Sequence, residues 1–292
     1  MSEQSSSRSA PLSLNSLVPH WPIAIALIVL AVPTFISLGA QVWSTEAGAH
    51  GPIVFATGIW ILARRTQELR DHARPGQPWL TTAGILVSLG LYIFGRAYDF
   101  ISLEVLGLYG VCVSFLNAYF GVSALVRIWF PLLYLGFIIP PPGWAIDYLT
   151  VGMKEFVSMM STEVLQLFGI PISREGVTLR VAQYLLLVED ACSGMNSLVG
   201  LVAISLFYIY LLRNASWKYS IGLTVLVIPI ALLANMIRII VLVLLTYFFG
   251  DGVAQGFLHN VAGLFLFATA LILVFAIDNI LARIFLRSKD RL

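Results

Sequence analysis

Long apolar runs, each close to the roughly 20 residues that cross a bilayer as a helix, recur along most of this chain and set its architecture. They predict helices near residues 21–41, 49–64, 79–98, 101–123, 124–140, 192–212, 218–248 and 259–281. One sizeable stretch, 141–191, breaks the pattern. It follows a Pro140-Pro141-Pro142-Gly143 run, which cannot continue a helix. From Asp147 to Phe168 charged and apolar residues then mix at helical spacing, predicting an amphipathic helix that lies on the outer leaflet. Beyond Gly169 and Pro171, the segments Ile172-Ser173-Arg174 and Val177–Val181 alternate around Glu175-Gly176 like a β-hairpin. The run Tyr184–Val188 leads from there straight to Glu189 and Cys192. The expected fold class is an all-α polytopic membrane protein of about eight transmembrane helices, with a small amphipathic helix and a β-hairpin inserted on its outer face.

Composition agrees with that class: 59% of the 292 residues are hydrophobic and 11% charged, against roughly 25% charged in soluble domains. A net charge of +2 gives no ground for nucleic acid as a partner. The basic residues instead gather in short loops. Arg64, Arg65, Arg70 and Arg74 share one loop, Arg213 and Lys218 another, and Arg283, Arg287, Lys289 and Arg291 the tail. With Arg8 and Arg127 these make 12 of the 17 Lys and Arg residues, and the positive-inside rule puts them in the cytoplasm. Both termini are then cytoplasmic, and 141–191 is a periplasmic insertion in a single membrane domain spanning 20–283. Residues 1–19, polar and Ser-rich, read as a disordered cytoplasmic N-terminus, and 284–292 as a basic cytoplasmic tail. The first apolar run has no small-residue cleavage site close behind it and reads as a retained helix, not a signal peptide.

The two cysteines, Cys112 and Cys192, form no Cys-x-x-Cys pair, which excludes a dithiol redox centre and a zinc-ribbon spacing. Cys192 stands directly before the apolar run Met195–Leu212, where free N–H groups and the dipole of a helix N-terminus favour a thiolate. A small buried hydrophobe is the bland alternative for such a residue.

Depth arithmetic links Cys192 to two other residues. Climbing from cytoplasmic Arg213 to Cys192 covers 21 residues, about 31 Å. Lys218 to Arg238 covers 20 residues, about 30 Å, and Arg283 back to His259 covers 24, about 36 Å. Three spans thus bring a thiol, a guanidinium and an imidazole to one depth at the outer interface. An arginine in an apolar run is costly unless paired or set at a wet edge, and a topological anchor or a partner for Asp251 or Glu189 is its plainer role. For His259 the plainer role is an interfacial histidine. Together the three fit a cysteine peptidase or transpeptidase, in which the thiolate attacks a carbonyl, the histidine protonates the departing amine and the arginine donates to the oxyanion. That chemistry calls for no metal or cofactor. Asp190 reads as a helix cap or a partner for Arg238 or His259, and Asn235, one turn before Arg238, as a support for the guanidinium or the substrate backbone.

The strings Ala191-Cys192-Ser193-Gly194, Asn235-Met236-Ile237-Arg238 and His259-Asn260-Val261-Ala262-Gly263, in this order on successive spans, resemble the exosortase and archaeosortase family. The resemblance implies Cys192 as nucleophile, Arg238 and His259 completing the triad, and Ser193 beside the nucleophile in a supporting place. It further implies, as partners, exported proteins bearing a C-terminal tripartite signal of PEP-CTERM type: a short Pro-containing motif, one transmembrane helix and a basic tail, often in connection with exopolysaccharide production. Membrane lipid surrounds both. The location implied is the cytoplasmic membrane, with the active site on the periplasmic side. The competing reading is a transporter or polysaccharide-export subunit in which Arg238 and Asp251 line a permeation path. Arg96 and Asp99 read as an interfacial pair, and His20, His50 and His72 as residues with no assigned role.

Overall fold

A computed structural model describes residues 21–45, 48–181, 183–187, 198–212, 217–260, 265, 268–277 and 279. The chain opens with α1 (Trp21–Leu38), which passes directly into a π-helical turn, Gly39–Trp43. There follow α2 (Gly51–Arg64), the short α3 (Thr66–Asp71), α4 (Pro78–Ala97), α5 (Ile101–Arg127) and α6 (Trp129–Gly136). A 25-residue helix, α7 (Gly143–Leu167), precedes the strands β1 (Ile172–Glu175), β2 (Thr178–Val181) and β3 (Tyr184–Leu187). The described remainder is helical: α8 (Leu198–Leu212), α9 (Trp217–Phe249), α10 (Asp251–Asn260) and α11 (Ala268–Ile277).

Among the described residues four helices are long and apolar enough to cross a membrane: Trp21–Trp43, Pro78–Ala97, Ile101–Arg127 and Val225–Phe249. The other four expected spans are not confirmed among the described residues. The clearest departure is the run 124–140. Residues 124–127 belong to α5, and the eight residues of α6 rise only about 12 Å before the chain turns toward Pro140. Apolarity alone cannot distinguish such a buried corner from a span, because both exclude water.

Helices α4 and α5 form a tight hairpin lined with small residues. A Cβ on Gly84 would stand 2.6 Å from the Ser114 hydroxyl, and one on Gly95 would enter the backbone of Glu104. Close approach of this kind lets two helices associate without large apolar side chains between them. Asp99 takes a positive φ of 55° in the turn. Arg96 does not pair with it, contrary to the sequence expectation: its Nη1 donates to Ser37 Oγ at 2.9 Å and to Glu104 Oε1 at 3.3 Å. Glu104 is buried in the first turn of α5 and also receives the Thr34 hydroxyl of α1 at 2.8 Å. A carboxylate reached from two helices compensates its own burial; Asp99, in the turn, has no such need.

Further along, α5 breaks at Gly121 (φ 75°, ψ 162°). Such a break withdraws intrahelical donors from the carbonyls just before it. The extended segment after α3 replaces them, with Arg74 N donating to Phe120 O at 3.0 Å and Gly76 N to Ala118 O at 3.3 Å.

The insertion carries a hairpin and a helix and adds one strand. The hairpin is present, with Ile172 paired to Val181 and Glu175 to Thr178, and Gly176 supplies the positive φ of 61° that opens its two-residue loop. The run Tyr184–Leu187 adds a third antiparallel strand, giving the order β1-β2-β3. Helix α7 turns its hydroxyl residues and Lys154 inward, while its carboxylates Asp147, Glu155 and Glu163 are exposed. Thr150, Lys154, Ser158, Ser161 and Thr162 are buried, while Trp144, Tyr148, Phe156 and Leu167 are exposed. A surface helix in water would show the reverse, whereas polar residues facing the protein interior are the rule where lipid is the surroundings.

Val157 and Leu165 of α7 share a core with Leu179, Val181 and Leu186 of the sheet, Ile239, Leu242 and Val243 of α9, and Ala254 of α10. At 33 residues α9 is about 50 Å long, well beyond one bilayer thickness. This core explains how the excess is accommodated: the C-terminal third of the helix is clothed by α7, the sheet and α10.

Candidate functional site

Arg238 sits on α9 immediately before that clothed third. It is fully buried, at 0% exposure, and Asn235 one turn earlier is 2% exposed. Both lie on the inward face shared by Ala231, Ala234, Ile239 and Leu242. The helix is continuous from Trp217 to Phe249 despite Pro229, so the path from Lys218 to Arg238 is a single helix, as the depth arithmetic assumed. His259 lies in the last turn of α10, a helix that starts at Asp251, eight residues before the span expected to carry the histidine. Gly250, with φ 84°, makes the reversal from α9 into α10. Cys192, Asp190 and Ser193 lie outside the described residues, as do Glu189 and the tail from Arg283 onward.

The elements flanking Cys192 are described on both sides. Before it, β3 is held in the sheet that packs on α9. After it, α8 is fixed at two points. Near its start, Gly200 faces His50, and a Cβ at Gly200 would stand 2.6 Å from the imidazole Cγ. Toward its end, Tyr210 accepts a hydrogen bond from Arg65 Nε at 2.7 Å and stacks on Phe130 with ring centroids 4.3 Å apart and planes 5° from parallel. Arg65 also donates to Glu68 at 2.6 Å. These bonds to Glu68 and Tyr210 raise the guanidinium pKa above its ordinary value, outweighing its partial burial.

A cleft of about 280 Å³ opens beside His50. Its walls come from the π-helical turn (Trp43), the start of α2 (His50), the start of α5 (Ser102), the corner after α6 (Phe137, Pro140–Pro142), the start of α7 (Ile146, Asp147) and Val199 of α8. Elements distant in sequence therefore converge on the turn of α8 that follows Cys192. The cleft is largely apolar and aromatic with a few convergent polar groups, as pockets for extended organic ligands usually are.

Against known families, residues 42–276 match a profile described as transmembrane exosortase. The chain belongs to the transmembrane exosortase family. The matched region contains Cys192, Arg238 and His259 and most of the described structure. No curated protein and no solved structure matches the chain. Exosortase membership, with the apolar helices, makes this a multi-pass membrane protein and supports a membrane transpeptidase-like role.

The structure of this exosortase places His50 and Asp147 in the cleft wall, with Lys154 Nζ 4.0 Å from Asp147 Oδ1. His50 carried no motif, and its burial follows from the α2–α8 packing that a linear reading does not contain. For Lys154 a signal existed: it is a cation seven residues from Asp147, hence on the same helical face, within a helix otherwise rich in apolar and hydroxyl residues. Among the described residues no group of three or more His, Cys, Asp or Glu side chains is placed to hold a metal ion.

Proposed function

We propose that this exosortase is a membrane cysteine peptidase and transpeptidase that processes the C-terminal sorting signal, of PEP-CTERM type, of exported proteins, in association with exopolysaccharide production. It acts at the outer face of the cytoplasmic membrane, with 20–283 as its single membrane domain and both termini in the cytoplasm. The observation that carries the reading is the family match across 42–276, a region that contains Cys192, Arg238 and His259.

In this reading the Cys192 thiolate adds to the carbonyl carbon of the scissile peptide bond. Arg238 donates to the oxyanion that develops, a role suited to a guanidinium that keeps its proton and is held out of water. Collapse of the tetrahedral intermediate breaks the C–N bond. His259 gives its proton to the departing amine, leaving a thioester on Cys192. An acceptor nucleophile, an amine or water, then attacks the thioester and regenerates the thiolate. Asn235, buried one turn from Arg238, restricts the guanidinium; Asp190 and Ser193 flank the nucleophile and set its approach.

The test is co-expression of the chain, as wild type and as Cys192→Ala, with a tagged exported protein bearing a Pro-containing motif, an apolar helix and a basic tail. A size shift in the wild type that is absent in the variant, at equal membrane level, supports the reading. An undiminished shift with Cys192→Ala sinks the cysteine mechanism and favours a transport or export role.

A further inference from the structure

Arginines gather at the end of the bundle where α2 and α5 finish: Arg64 and Arg65, Arg70 on α3, Arg74 in the extended segment after it, and Arg127. Packing brings them to one corner. Leu69 of α3 is buried with Ala124, Leu125 and Ile128 around the last turn of α5, and Arg74 N donates to Phe120 O beside the Gly121 break, which fixes the segment to α5. Two carboxylates share the corner. Glu68 is taken by Arg65 at 2.6 Å, and Asp71 is exposed. The His72 ring turns its Nδ1 to the Glu68 carbonyl at 3.0 Å. Among the described residues no carboxylate pairs with Arg64, Arg70, Arg74 or Arg127, and all four are exposed. Arginine thus exceeds carboxylate at this corner even when His72 is neutral.

Exposed tryptophans mark the same end: Trp60 on α2 at 42%, Trp79 in the first turn of α4 at 69% and Trp129 at the start of α6 at 59%. The start of α4 is tied to α5 through Asn117 Nδ2, which donates to Thr81 Oγ1 at 3.0 Å. Outward tryptophans at helix ends settle at headgroup depth. Arg64 lies over the Trp60 ring at 4.5 Å, so its guanidinium stands at that depth too, not out in bulk water. We infer that this corner is a binding surface for anionic phospholipid, with Arg70, Arg74 and Arg127 drawing in the phosphate and the tryptophans set beside the acyl chains. Basic clusters flanking membrane helices attract anionic lipid, and the guanidinium fork matches phosphate oxygens. A nucleic acid or an acidic protein would arrive from water and gain nothing from the tryptophans. The opposite end offers no such surplus: Arg96 is paired with Glu104, and Asp147, Glu155 and Glu163 of α7 are exposed. Lipid selection is therefore confined to one leaflet, the cytoplasmic one in the orientation proposed above.

Selection is measured on the full chain in nanodiscs of mixed phosphatidylglycerol and phosphatidylcholine, by mass spectrometry of the lipids that stay bound when the protein is released. Phosphatidylglycerol is expected to be enriched among them relative to the bilayer. Arg70→Gln, Arg74→Gln and Arg127→Gln should each lower the enrichment, by up to about fivefold for a basic residue near an anionic surface. The triple Gln variant should bring it close to parity. The triple Lys variant keeps the charge but loses the fork, and should retain most of the enrichment. Arg180→Gln, at an exposed position of β2, should leave it unchanged. Selection at this corner is independent of the chemistry at Cys192, so Cys192→Ala should match the wild type.

Wild-type enrichment in the triple Gln variant, or an equal loss in Arg180→Gln, would overturn the inference. So would displacement of the bound phosphatidylglycerol by inorganic phosphate at matched headgroup concentration, which would make the corner a site for free anions. Melting curves verify that each variant is folded, and the single Gln variants carry the test if the triple variant is not.

Discussion

The imidazole of His50 lies against Gly200, close enough that a Cβ on Gly200 would stand 2.6 Å from its Cγ and 2.7 Å from its Nδ1. Through this contact the start of α2 sets how near α8 comes to the cleft.

Gly200→Ala should therefore displace His50 or push α8 away from it, lowering substrate processing several-fold at unchanged membrane level. His50→Ala should relieve the clash, so that the double variant recovers part of what Gly200→Ala loses. A coupling of about 0.5 kcal/mol or more between the two positions is expected for residues in contact. Strict additivity in processing rates would show that the contact does not position the site.

Arg238 is buried to 0% exposure on α9, just before the part of that helix that packs on α7 and the sheet. Under the proposed mechanism, Arg238→Gln removes the oxyanion donor and should lower the processing rate by about 10²–10³-fold. Arg238→Lys, which keeps the charge but loses the planar fork, should restore only a minor part. Quantitative immunoblots of precursor and product over time, normalised to membrane level, decide this; wild-type rates in Arg238→Gln would remove Arg238 from the mechanism.

At the other end of α8, Tyr210→Phe deletes the acceptor for Arg65 Nε but keeps the ring stacked on Phe130. The expected cost is about 1 kcal/mol, that of one hydrogen bond to a charged and partly exposed group. Tyr210→Ala, which loses the stacked ring as well, should cost about 3 kcal/mol. Thermal unfolding in detergent should rank wild type, Tyr210→Phe and Tyr210→Ala in descending stability.

Glu104 gathers Thr34 of α1 and Arg96 of α4 around one buried carboxylate. Glu104→Ala should destabilise by about 3 kcal/mol, because it strips a buried network of its acceptor and leaves a cavity. Glu104→Gln keeps an acceptor and should cost less. If both melt with the wild type, the cluster does not hold α1 to the α4–α5 hairpin.

The long helices and the hairpin were legible in the sequence because each depends on local periodicity. α9 is one apolar helix, and Gly176, next to the Glu175 that closes β1, opens the loop of the paired strands. The facing of α7 was not legible. Its amphipathic period is the same whether the polar stripe points to water or to a protein interior, and only the neighbouring α9 and sheet decide which. Arg96 shows the same limit: Asp99 was nearer in sequence, but the hairpin brings Glu104 into reach. The shortness of α6 reflects a tertiary corner that apolarity cannot reveal. Of the candidate site, Arg238 is buried on α9 and His259 lies in α10. Cys192, Asp190 and Ser193 fall outside the described residues.

The three-stranded sheet carries a consequence for how the chain tolerates change in length. β2 places Leu179 and Val181 in the core shared with α9, and β3, paired to β2 from Val181↔Tyr184 to Thr178↔Leu187, is the last described element before Cys192. Side chains on a strand alternate faces, so one residue inserted between Val181 and Tyr184 would turn Leu186 out of that core and hand the following segment on inverted. Length variation among natural and engineered versions of this chain should accordingly concentrate in other loops, with the β2–β3 connection fixed in count even where its residues differ.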